Sequence, residues 1–208
     1  MDVHEAIQSR RTVRDFEEKN VDIDIIKRIL GAGLQAPSND HMREWEFVII
    51  NDKSTRLIVI NKVKKNVAEK EVENILNSWE CFDPIQREMY FNAIPKQYKM
   101  LLTAGCLIIP CFRQKWSLLK PSNLSALNGF ASIWCCIENI LIAAAAEGIY
   151  GVTRIPFDEE LKHLKVVLNI PEDYEVPCYI ALGYPDKSAK PIRQRSISVE
   201  EKMHFDKW

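Results

Sequence analysis

The sequence predicts a single-domain α+β fold, on three observations. Segments with apolar residues at helical spacing alternate with short β-branched runs. No internal repeat, low-complexity run or Gly/Ser-rich linker divides the 208 residues. The composition, 47% hydrophobic and 27% charged, is that of a soluble globular chain with enough apolar residues to bury a core.

The elements follow in order. Asp2 with Glu5 makes a capping-box pattern, and Val3, Ala6 and Ile7 share a helical face, so a first short helix ends near Ser9. "DIDIIKRILGAGLQ" places Ile25, Ile26, Ile29, Leu30, Gly33 and Leu34 at helical spacing, with Asp22 as cap and Pro37 as stop. "EFVIIND" (46–52) reads as a strand, and helices follow from Ser54 and over 67–79. Residues 80–100 carry two prolines and several aromatics without clear periodicity, which fits either a lid over a flat ligand or an ordinary surface excursion. "CLIIPCF" (106–112) is a second strand, followed by an irregular loop to about Leu124. Next come an apolar helix within 127–151, a helix over 158–169 and a third strand over 176–185. The tail, 186–208, is basic at first and ends with Met203, Phe205 and Trp208.

Charge and cysteine usage narrow the function. A net charge of −1 gives no global positive field to recruit nucleic acid or acidic membrane. The 127–151 segment is long enough to span a bilayer. Glu138 and Glu147 interrupt it, so a central helix buried on most sides, partly by another subunit, is the expectation. Cys81, Cys106, Cys111, Cys135, Cys136 and Cys178 form no CxxC pair and read as reduced, buried thiols of a cytoplasmic protein. The amino terminus lacks an apolar signal core. With four scattered histidines and no HExxH, no metal site is expected.

The densest local charge is "SRRTVRDF" (9–16). If 10–14 runs extended, Arg10, Thr12 and Arg14 project to one side, and Arg11 and Val13 to the other. Two guanidiniums and a hydroxyl converging there make a phosphate site. The alternative is a solvated basic turn with Arg10 near a helix C-terminus.

Read together, "IQSRRTVRDF", "ILGAGLQAPSNDHMREWEFVIIND", the apolar helix running into "EGIYGVTRIPF", and "LNIPEDYEVPCYIALGYP" resemble, in order, the FMN-dependent nitroreductase family over nearly the whole chain. The resemblance implies a central, mostly antiparallel sheet flanked by helices. It also implies an intertwined homodimer, with FMN between subunits and the tail over the partner. Arg10, Arg11, Thr12 and Arg14 match the family's N-terminal flavin motif, with Arg14 nearest the isoalloxazine N1/O2 edge. Pro37, Ser38 and Asn39 match the turn that meets the flavin from the other side. Thr153, Arg154 and Ile155 match the segment whose backbone, and sometimes a Thr hydroxyl, faces flavin N5, and Arg193 or Arg195 matches the tail cation that returns to the phosphate.

The implied activity is ping-pong transfer of electrons from NAD(P)H through FMN to a nitroaromatic, quinone or similar acceptor, with no protein acid or base required. His41, Arg43 and Glu44 depart from the family's usual Asn, Gln and Pro, which leaves the substrate open. "AGCLIIPCFRQ" is similar to the dehalogenating branch, so reductive dehalogenation is an alternative. A flavin-binding protein without turnover and a structural dimer are others.

Overall fold

The computed structural model describes residues 2–190, 192 and 195–208. At its centre is a five-stranded antiparallel sheet: β1 (Trp45–Ile50), β2 (Cys106–Arg113), β3 (Tyr150–Arg154), β4 (Tyr174–Glu175) and β5 (Tyr179–Gly183). The order is β1-β2-β5-β3, with β4 continuing beside β2 beyond the end of β5. Pro110, which lacks an N–H, sits where β2 has left β5 and not yet met β4.

Burial follows the two-residue period of β2, which is covered on both faces. Cys106, Ile108 and Phe112 pack with Ile26, Ile29, Ile133, Ile137 and Ile140, from α2 (Ile23–Gly33) and α6 (Asn128–Ala146). Leu107, Ile109 and Cys111 pack with Val59, Leu101 and Leu164, from α3 (Lys53–Val59), α5 (Pro84–Thr103) and α7 (Asp158–Val167). A satellite cluster of Val72, Leu76, Cys81 and Ile94 joins α4 (Glu69–Ser78) to α5.

The expected caps are in place: Asp2 and Glu5 close a capping box on α1 (Val3–Ser9), and Asp22 accepts from the Asp24 N–H. The helix expected from Ser54 starts one residue earlier, at Lys53, on an Asp52 cap. Two expectations are corrected, and a third is met only in part within one chain. Residues 80–100 are not an aperiodic excursion. Most of them belong to α5, which starts on an Asp83 cap with Pro84 in its first turn and carries Pro95 inside. Polar and apolar residues are mixed around α5, because it contacts α4, the sheet side and the amino-terminal segment at once. Secondly, α6 is not buried on most sides within one chain. It is long and apolar enough to cross a membrane, yet only a third of its apolar window is buried, the rest being half-covered or exposed as cover by another subunit would leave it. Thirdly, Cys135 lies on that helix and is exposed, whereas the other five cysteines are buried. Burial pushes the Cys106, Cys111 and Cys136 thiols up to about 12.

Strand β3 was not expected. Its Gly151 is required by close approach: a Cβ there would lie 2.3 Å from the Ala181 carbonyl oxygen across the β3–β5 pair. On its outer edge Gly151 also bridges Thr12, and the Val13 N–H donates to the Gly151 carbonyl at 3.2 Å. This docks the arginine segment onto the sheet.

Candidate cofactor site

The arginine segment leaves α1 at Arg10, bridges β3 at Thr12 and returns to the sheet at Phe16, which bridges Pro185. Along it runs a cleft of about 190 Å³, lined by Arg11, Thr12, Arg14, Asn92, Tyr150 and Lys190, among others. Arg10 does not line this cleft. It caps the end of α1, so the helix end rather than strand alternation sets its direction, and it pairs with Glu138 of α6 at 3.4 Å. The expected grouping of Arg10, Thr12 and Arg14 on one side is therefore corrected to Arg11, Thr12 and Arg14. Arg11 lines the cleft while donating to the Gln8 carbonyl and, at 2.7 Å, to the Arg10 carbonyl.

Arg14 differs from both. Its guanidinium is half-buried, and among the described residues its one hydrogen bond is a long donation to Met89 Sδ at 4.0 Å. Burial pulls its pKa below the usual arginine value, with the nearby Asp15 carboxylate pulling the other way. Among the described residues no carboxylate pairs with it, so its donors remain available to an anion.

The turn after α2 forms a second, smaller pocket lined by Ser38, Asn39, Arg43, Glu44 and Arg113, among others. Asn39 is fixed by α6: its N–H donates to Ser132 Oγ at 3.2 Å, and its side-chain oxygen accepts from Asn128 at 3.0 Å. Ser38 Oγ is buried without a partner among the described residues, and such a group is ordinarily satisfied by a ligand or water. Pro37 is exposed. His41 and Arg43 adopt left-handed backbone (φ 60° and 48°), uncommon for residues with a side chain. Glu44 anchors the turn by accepting from Arg113 at 2.7 Å, and Arg113 also donates to Asp173 at 2.7 Å.

The third group is split. Thr153 is half-buried and Ile155 is exposed. Arg154 is 7% exposed, and its side chain is fully engaged within the chain. It donates to both Glu160 carboxylate oxygens (2.5 and 2.8 Å) and to Gln97 Oε1 (2.9 Å), and lies over the Phe157 and Tyr179 rings. Its guanidinium is thus used within the chain, which leaves the expected backbone contact of this segment untouched. Arg195 pairs with Asp83, the α5 cap, rather than lining the arginine cleft. Arg193 lies outside the described residues.

One chain does not gather these groups into one cavity, since none of Pro37, Ser38, Asn39, Thr153 or Ile155 lines the arginine cleft. Helix α6 links two of them: Ser132 holds the Asn39 turn and Glu138 holds Arg10, about 9 Å apart along the helix axis. Sequence reasoning missed the contributions of α5, namely Met89, Asn92 and Lys96. The signal for that helix was Asp83–Pro84, a cap followed by proline in the first turn.

Comparison with known proteins gives concordant results. The chain is 25% identical over 206 residues to an iodotyrosine deiodinase of Nematostella vectensis, covering 96% of this chain and 73% of that protein. It is 24% identical to a putative NADH dehydrogenase/NAD(P)H nitroreductase of Methanothermobacter thermautotrophicus, covering 100% of this chain and 88% of that one. Its fold matches a crystal structure of oxidized iodotyrosine deiodinase bound to FMN and 3-iodo-L-tyrosine, with a TM-score of 0.75, 17% identity and full coverage of both chains. The Nitroreductase family model matches residues 7–184, and the chain belongs to that family.

Proposed function

We propose that this protein is an FMN-dependent oxidoreductase that passes electrons from NAD(P)H to a small organic acceptor such as a nitroaromatic or quinone, working as a homodimer. The observation that carries the reading is Arg14, a half-buried guanidinium without a carboxylate partner among the described residues, in a cleft it shares with Arg11 and Thr12. The residues suit the cofactor. Guanidinium and hydroxyl donors match a phosphate or an anionic ring edge, and the buried Ser38 hydroxyl lacks the partner a ligand would supply. When bound, FMN supplies two-electron chemistry, taking hydride from a nicotinamide and reducing the acceptor. Arg14 would hold and polarise the anionic portion, Thr12 and Arg11 would orient it, and Thr153 would present its hydroxyl from the end of β3.

The homodimer rests on two features. The cleft of about 190 Å³ is smaller than the roughly 300–1,000 Å³ of typical ligand pockets, so one chain supplies only part of a site. The open apolar face of α6, together with the exposed Phe205 and Trp208, needs covering. Joining two copies across α6 brings the turn at Ser38 and the cleft at Arg14, unconnected in one chain, into a shared groove.

The deiodinase relatives favour a second reading of the acceptor, reductive dehalogenation of a halophenol. The test uses the purified protein. Flavin absorption at one equivalent per chain is expected, bleached by NAD(P)H without oxygen and restored by nitroaromatics or quinones. Restoration by halophenols alone, with halide released, selects the second reading. A colourless protein that takes up no added FMN overturns both, and a flavin that no nicotinamide bleaches leaves a binding protein without turnover.

A further inference from the structure

The cleft that gathers Arg11, Arg14 and Lys190 also contains a carboxylate, Asp15. This carboxylate, next in sequence to Arg14, is the one whose charge acts on the guanidinium, and it would compete with any anionic ligand. It is held elsewhere: Lys96 of α5, 81 residues further along, donates to Asp15 Oδ2 at 2.6 Å. The two side chains are 30% and 24% exposed, so water screens the pair only in part. Arg14 feels the Asp15 charge, yet its recorded donation is the long one to Met89. Met89, Asn92 and Lys96 lie three and four residues apart on one stripe of α5, so a single element faces Arg14, the cleft and Asp15 together.

We propose that Lys96 is a positioning residue of the anion site: it draws the Asp15 carboxylate away from Arg14 and cancels its charge at the cleft wall, leaving the Arg14 guanidinium free for an anionic group of the cofactor. The inference rests on the reading of this cleft as the FMN site. Without Lys96, Asp15 repels a bound anion or closes on Arg14, and either outcome weakens binding. For an uncancelled charge about 6–12 Å away at an effective dielectric near 20, the weakening is roughly ten- to hundred-fold.

The test is titration of apoprotein with FMN, followed by flavin fluorescence, in four variants. Lys96→Met should weaken FMN binding by about tenfold or more, and Lys96→Arg, which keeps the charge, by less than about threefold. Asp15→Asn alone should bind at least as tightly as the unaltered protein. Asp15→Asn combined with Lys96→Met should recover affinity to within about threefold, which a purely structural role for Lys96 would not produce. Unchanged binding by Lys96→Met overturns the proposal. So does a double variant as weak as Lys96→Met, which would mean that Lys96 touches the ligand or holds the fold. Weaker binding by Asp15→Asn alone also overturns it. An unaltered protein that binds no FMN sinks the functional reading and this inference together, whereas normal binding with equal variants sinks this inference alone.

Discussion

Arg14 and Arg154 look alike in the sequence, each in a segment matched to flavin contact, yet the fold uses them in opposite ways. The Arg154 guanidinium is sealed inside the chain, with both terminal nitrogens on Glu160, Nε on Gln97 and aromatic rings against it. Glu160 is satisfied as well, accepting the Phe157 N–H at 3.1 Å at the start of α7. Together they join the end of β3 to α7 and α5. Arg14 is left with a distant thioether while the neighbouring carboxylate is drawn to another cation. A charge written in a sequence is a capability. Whether it is used for folding or kept for a ligand depends on partners that only the tertiary structure supplies.

Breaking the comparison starts with stability. Arg154→Met leaves Glu160 as an uncompensated buried carboxylate and should cost about 3–5 kcal/mol in urea denaturation. Arg154→Met with Glu160→Leu should recover most of that loss, because a well-packed apolar pair can replace a buried ion pair. Arg14→Met, which breaks no ion pair, should stay within about 1 kcal/mol of the parent. Equal losses at the two arginines would erase the distinction.

Cofactor affinity sharpens it next, in the opposite order. Arg14→Ala should weaken FMN binding by about 10- to 100-fold, the worth of a charge-assisted hydrogen bond of about 1.5–3 kcal/mol, with elution in gel filtration unchanged. Arg10→Ala should lose less, since Arg10 already pairs with Glu138. Arg10→Ala losing as much as Arg14→Ala would show that the Glu138 pair opens when the cofactor enters. Ser38→Ala is a smaller and more diagnostic change. Removing a buried hydroxyl that lacks a partner among the described residues should leave the apoprotein as stable or up to about 1 kcal/mol more so, while FMN affinity drops about three- to tenfold. Loss of both stability and affinity would mean that the hydroxyl has a structural partner.

The same contrast explains how much was legible in the sequence. Caps and continuous apolar runs are local signals, so Asp2, Asp22, β1, β2, β5 and α6 stood where the pattern put them. Helix α5 was obscured because it serves three neighbours and has no single apolar face, and Pro95 sits in its middle. Strand β3 was obscured because its good strand formers, Tyr150, Val152 and Thr153, are interrupted by Gly151 in a run of only five residues, so pairing with β5 and the Thr12 bridge complete it. At the site, the arginine segment announced itself by charge density. The Lys96–Asp15 and Arg154–Glu160 pairs did not, since neither partner is exceptional until the chain folds.

The weakest expected effect concerns the turn that departs from the family pattern. Arg113 joins it to the segment before β4, and donation from Arg113 holds the Asp173 carboxyl below its ordinary value of 3.8. A carboxylate lowered in the folded state stabilises it above the unfolded pKa, and that contribution disappears as pH falls through the folded value. Melting temperature should therefore be flat from about pH 8 to pH 5 and decline below about pH 4, and Asp173→Asn should make the acid limb slightly shallower. The exposed pair is worth little in itself. Its leverage is on His41 and Arg43, whose left-handed backbone needs an external tether. FMN affinity in Asp173→Asn should change by less than about twofold, because Glu44 keeps its own hold on Arg113. A larger loss would place this surface network, and not only Arg14, among the groups the fold reserves for its ligand.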